Sequence, residues 1–221
     1  MPNPIRLLHL SDPHIARSRF AFTDSKDQPD PTQLIEMMNR DPELETPPDA
    51  VVISGDVGWS GTAEEYELAA RFIEALQIQW RGAQFIVAPG NHDVHLDHPE
   101  DPHHAFVEML QRIHQDEFST LYPFASPDGR FAQRHCLVAV KHVPGQFLIV
   151  AANSAAHINA KAIDGKRVID DRAHLDADAL KLIEGKLKAL DDDRALRIFV
   201  MHHHLLPFIP DWGDTIQSGL T

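Results

Sequence analysis

Aspartate, asparagine and histidine recur in this chain directly after short apolar runs, and these are residue types that ligate divalent metal ions. Asp12-Pro13-His14 follows the apolar run 5–10. In an extended segment residues two apart face the same way, so one carboxylate and one imidazole can point at one ion. Gly55-Asp56 follows the run 50–54, where glycine permits a sharp turn that delivers the aspartate. Gly90-Asn91-His92-Asp93 follows the run 84–88 and is the most specific of the clusters. A bare turn uses Asn and Asp readily, but it does not ask for a histidine between them. His202-His203-His204 follows the run 196–201. Strand alternation sets His202 and His204 on one side and His203 on the other, and His202, next to the apolar residues, is the preferred ligand. An oxygen and imidazole set without thiolate suits Mn, Fe, Zn or Co.

The elements that must position these groups alternate in type. The runs 5–10, 50–54 and 84–88 read as strands, each stopped by turn residues. A short helix is expected near 32–39. Another is expected over 62–76, opened by Thr62 with Glu65 in a capping box and carrying Tyr66, Ala69, Ala70, Ile73 and Leu76 on one stripe. A third helix fits 105–118. Strands over 133–140 and 146–152, joined by Pro144-Gly145, form a hairpin, followed by a helix over 175–190 and a strand over 196–201. Functional groups of open α/β sheets collect outside the carboxyl ends of the strands, and four runs here end in ligand-type residues. An α/β layered fold in one domain, residues 1–221, is expected.

Composition limits the partners. The 221 residues hold 20 basic and 33 acidic side chains, a formal net charge of -13. Binding nucleic acid through surface charge needs Lys and Arg, so that class is disfavoured. A small phosphate ester is not, because bound cations reverse the local field. The lone Cys136 excludes an internal disulfide and a cysteine-based zinc cluster, and its strand-like surroundings suggest a buried, inert thiol. No apolar run is long enough to span a bilayer and no signal-peptide pattern opens the chain, so a cytoplasmic protein is expected. The 15 histidines are the unusual feature. Those at 95, 98, 103 and 104 read as part of a solvated acidic loop, and His9 as packed in the sheet.

The blocks Ser-Asp12-Pro-His14, Ser-Gly-Asp56, Gly-Asn91-His92-Asp93 and Val-Met-His202-His-His resemble, in order, those of the calcineurin-like metallophosphoesterase superfamily. The resemblance implies a four-layer αββα sandwich with a two-metal site at the strand ends. It implies that Asp12 and His14 bind one ion, that Asn91 and His202 bind the other, and that Asp56 bridges both. The expected reaction is hydrolysis of a phosphodiester or phosphomonoester, a cyclic nucleotide being one candidate, through a hydroxide held between the ions. His92 is then the general acid, oriented by Asp93. Two divalent ions and two aspartates leave a surplus of about +2 to hold the phosphate.

The family pattern also includes a later Gly-His-x-His block, which this sequence lacks. Missing last strands, a partner or second copy that completes the site, or fewer protein ligands would each account for that. The competing readings are a metal-dependent nuclease and a non-catalytic remnant or partner-completed subunit.

Overall fold

The runs 50–54 and 84–88 have no polar face because both of their faces are covered. They are adjacent parallel strands in a computed structural model that describes residues 4–16, 31–97, 102–113, 119–121, 138–156, 158–163, 166–170, 174–175, 177–190 and 192–203. β1 (Leu7–Leu10), β2 (Ala50–Ser54), β3 (Gln84–Ala88) and β4 (Ser119–Leu121) form one parallel sheet in that order. Helices α1 (Pro31–Met38), α2 (Ala63–Gln79) and α3 (His104–Ile113) connect them in turn.

Residue alternation decides the layers. Val51, Ile53, Phe85 and Val87 pack against helix residues that include Ile35, Phe72, Ile73, Leu76, Phe106 and Leu110. Ala50, Val52, Ile86 and Ala88 face the opposite way, onto Phe147, Ile149, Ala151 and Val200. Those last residues belong to a second sheet. In it β5 (Val138–Val143) pairs antiparallel with β6 (Phe147–Ala152). After a separate hairpin of β7 (Asn159–Ile163) and β8 (Lys166–Asp170), α4 (Ala177–Leu190) places Ile183 and Leu187 on Val150. β9 (Leu196–Val200) then joins β6 in parallel. The order is helices, sheet, sheet, helix: the αββα sandwich expected above. Each large apolar side chain buried between these layers contributes roughly 1.5–3 kcal/mol.

The expected stripe of α2 is fully buried, and its first turn carries Glu64 and Glu65 next to the exposed helical N–H groups. Some bounds differ. α2 runs on to Gln79, beyond the expected end near 76. α3 reaches Ile113, the last described residue of its segment; 114–118 lie outside the described residues, as do 133–137 with Cys136. β4, β7 and β8 are additions to the expected elements. Among the described residues no helix is long and apolar enough to cross a membrane. What matters for the site is register: Leu10 pairs with Ile53 and Ile53 with Val87, so three loops leave one edge of the sheet together.

Candidate metal centre

The first two of those loops are tied together by their backbones. The His14 N–H donates to the Asp56 carbonyl at 2.9 Å and the Ile15 N–H to that of Val57 at 2.8 Å. Asp12, His14 and Asp56 all adopt left-handed backbone, with φ of 53°, 43° and 50°. Such conformations cost about 1–3 kcal/mol each and survive only where the surroundings enforce them. Two glycines allow the close packing. A Cβ at Gly55, itself at φ 92°, would collide with the His202 ring, and one at Gly90 would collide with the Asp56 carboxylate and N–H.

The side chains converge. Carboxylate oxygens of Asp12 and Asp56 and a ring nitrogen of His202 all lie within 4.8 Å of one another. Asp56 is buried and stands between two imidazoles, its Oδ2 3.7 Å from His14 Nε2 and its Oδ1 3.5 Å from His202 Nε2. His202 Nδ1 faces the Ser54 carbonyl at 2.9 Å. A carbonyl only accepts, so Nδ1 carries a proton, and in the neutral ring Nε2 holds a lone pair. That lone pair faces Asn91 Oδ1 at 2.9 Å and the Asp56 carboxylate beyond it. Acceptors aimed at one another in a half-buried space are what a cation balances. His14 Nδ1 is also buried without a hydrogen-bond partner among the described residues. The donor set therefore fits divalent metal, with Asp12, His14, Asp56, Asn91 and His202 able to hold it.

Of the three terminal histidines, His202 joins the cluster. His203 Nδ1 turns to the Ser154 hydroxyl at 2.8 Å, and His204 lies outside the described residues. Asp93 does not orient the ring of His92. Its fully buried carboxylate accepts the N–H groups of Val57 (3.1 Å), Gly58 (2.9 Å) and Gly90 (2.9 Å), and the Tyr66 hydroxyl (2.9 Å). Burial pushes its carboxyl up to about 6, against the pull of those donors. It locks the loops together. The partner of His92 is instead the carbonyl of Trp59, 2.6 Å from Nδ1, while the His92 N–H donates to Asp56 Oδ1 at 2.9 Å.

Trp59 is the residue the sequence reading missed. Its indole centroid lies 4.6 Å from that of His92 and 4.9 Å from that of His14. An aromatic three residues after Asp56, in a loop, was its only signal. Two other histidines also differ from expectation. His9 is exposed and meets the Ser54 hydroxyl at 2.7 Å, because residue 9 sits on the edge strand. His103 is buried rather than in a solvated loop; His98 lies outside the described residues.

A parallel sheet in an αββα sandwich, with carboxylates and imidazoles gathered at its carboxyl edge, defines a layered α/β scaffold whose strand ends carry a cluster of metal-ligand type. The family model for calcineurin-like phosphoesterases matches residues 5–217, and the chain belongs to that family. Its members carry out metal-dependent hydrolysis of phosphate esters. No curated protein matches the chain.

Proposed function

We propose that this chain hydrolyses a small phosphate ester, with Asp12 and His14 holding one divalent ion, Asn91 and His202 a second, and Asp56 shared between them. The observation that carries this reading is the convergence of His202 Nε2, Asn91 Oδ1 and the Asp56 carboxylate, which with a neutral imidazole leaves acceptors facing one another. Bound there, the ions supply the Lewis acidity that draws in a phosphate anion and activates water. Asp56, between His14 and His202, sets the spacing of the two half-sites. The Ser54 carbonyl fixes the tautomer of His202. His92, with Nδ1–H donated to the Trp59 carbonyl, keeps Nε2 to carry the second proton of the imidazolium. That proton would pass to the leaving oxygen and return the ring to its neutral Nδ1–H form. Asp93 holds the loops around Gly58 and Gly90 so that these groups stay in place.

The net charge of -13 favours a small phosphodiester, such as a cyclic nucleotide, over polymeric nucleic acid. Hydrolysis of bis-(p-nitrophenyl) phosphate and p-nitrophenyl phosphate with added Mn²⁺, beside Asp56→Asn and His92→Ala, tests the reading. Metal-stimulated turnover that Asp56→Asn abolishes is expected, while His92→Ala should slow these activated esters far less than an ester with an alkoxide leaving group. Absence of such turnover in pure wild type, or fewer than two ions bound per chain, would overturn it. Faster cleavage of single-stranded DNA than of the small diesters would favour a nuclease.

A further inference from the structure

Glu65 makes more contacts than a helix cap requires. A capping-box glutamate needs one donor, here the Thr62 N–H, which Oε2 accepts at 3.4 Å. The same oxygen also accepts the N–H groups of Trp59 at 3.1 Å and Ser60 at 2.8 Å, and Oε1 accepts the Ser60 hydroxyl at 2.8 Å. Glu65 is only 9% exposed, so these donors replace the water it has lost. The loop it grips presents the Trp59 carbonyl to His92 Nδ1 and lays the indole against the His92 ring, the planes tilted by 31°.

We propose that Glu65 is a positioning residue for phosphoester cleavage: by clamping the loop 59–60 it fixes the orientation and tautomer of His92. The chain of contacts runs from carboxylate to loop N–H groups and from loop carbonyl to Nδ1–H. It leaves Nε2 as the nitrogen that takes a proton from water and, from the imidazolium, passes it to the leaving oxygen. This inference rests on the reading of His92 as proton donor to the leaving oxygen.

Leaving-group dependence isolates that role, because p-nitrophenolate departs without a proton and an alkoxide does not. The test compares a p-nitrophenyl ester with an alkyl ester of the same phosphate in Mn²⁺-loaded wild type, Glu65→Asp, Glu65→Gln and His92→Ala. Glu65→Asp keeps an acid in the first turn of α2 but withdraws it from the loop by one methylene. Glu65→Gln keeps the length and can still meet each partner. Glu65→Asp is expected to lose roughly 10–100-fold more kcat on the alkyl ester than on the p-nitrophenyl ester, with little change in KM. His92→Ala should show a skew on the order of 10²-fold, and Glu65→Gln should restore most of the alkyl-ester rate.

A second readout needs no turnover. Two-bond proton–nitrogen NMR correlation on metal-free protein should show His92 as the Nδ1–H tautomer in wild type and Glu65→Gln, and as a mixture in Glu65→Asp. A skew in His92→Ala with none in Glu65→Asp, and an unchanged tautomer, would overturn the role of Glu65 and leave that of His92 standing. No skew in His92→Ala would overturn the proton-donor reading instead, and the tautomer then decides the clamp by itself.

Discussion

The two ends of the second sheet set histidine against aspartate in opposite ways. Where β6 and β9 begin, His142 Nε2 meets Asp192 Oδ2 at 2.8 Å. The same carboxylate accepts the Gly145 N–H at 2.8 Å and the Arg194 N–H at 3.1 Å. Donors and acceptors are matched there, and the only left-handed residue of the adjoining turn is Gly145, at φ 71°. Beyond the far end of the same strands, His202 stands 3.5 Å from Asp56 with Asn91 Oδ1 close by, and three non-glycine residues are left-handed. The first pair is finished by protein atoms. The second converges acceptors and holds strained backbone, which is how a site waits for a cation at the expense of stability.

Removing the carboxyl charge at each end should therefore have opposite consequences. Asp56→Asn is expected to lower phosphoesterase turnover by on the order of 10³-fold and to lose bound metal. The metal-free variant should melt no lower than wild type, because asparagine tolerates left-handed backbone and a charge beside Asp12 has gone. Asp192→Asn should keep activity and melt lower. Paired thermal melts and metal counts check this. A clear drop in the metal-free melting temperature of Asp56→Asn would break the contrast.

The glycines sharpen it. Gly90→Ala drives a methyl group into Asp56 and should cost about 3 kcal/mol in urea unfolding. At Gly145 an added Cβ meets nothing within 4 Å, so Gly145→Ala should cost only the left-handed conformation, about 1–2 kcal/mol. Equal costs at the two positions would remove the claim that the site end is the more crowded. Added Mn²⁺ separates the ends again. At a hundred times its Kd it should stabilise wild type and Asp192→Asn alike by about 2.7 kcal/mol for each ion bound, and Asp56→Asn far less.

Much of this is legible in the sequence. The continuous apolar runs 50–54 and 84–88 imply strands covered on both faces, and the polar clusters after them imply a common edge. Parallel register is what brings Asp12, Asp56 and Asn91 together, and each lay where its run stopped. The hairpin of β7 and β8 is faint in the sequence because its strands mix charge with apolar residues, although Asp164-Gly165 between them is a hairpin signal. The partners of His92 and Asp93 were not readable. Adjacent residues in a turn need not share a direction, and Asp93 points into the loops it ties while His92 turns to a backbone carbonyl. A carbonyl partner leaves no trace in residue type, so Trp59 and the extra reach of Glu65 are facts of tertiary geometry.

The smallest expected effect lies at the matched end and concerns acid. The Gly145 N–H, then His142 and the Arg194 N–H, hold the Asp192 carboxyl down to about 2 from an ordinary 3.8. A folded-state value below the unfolded one stabilises the fold at pH values above the unfolded value. That contribution is lost as the pH falls from about 4 towards 2, as protons bind the unfolded chain first. Asparagine at 192 resembles the protonated acid and has no such contribution to lose. The gap between the urea midpoints of wild type and Asp192→Asn should thus be full-sized near neutrality and close as the pH falls to about 2. Asp56→Asn should leave that gap untouched, since it acts at the other end of the strands. A gap that persists unchanged at the acid limit would show that Asp192 acts through shape rather than charge, and the two ends would then differ in packing alone.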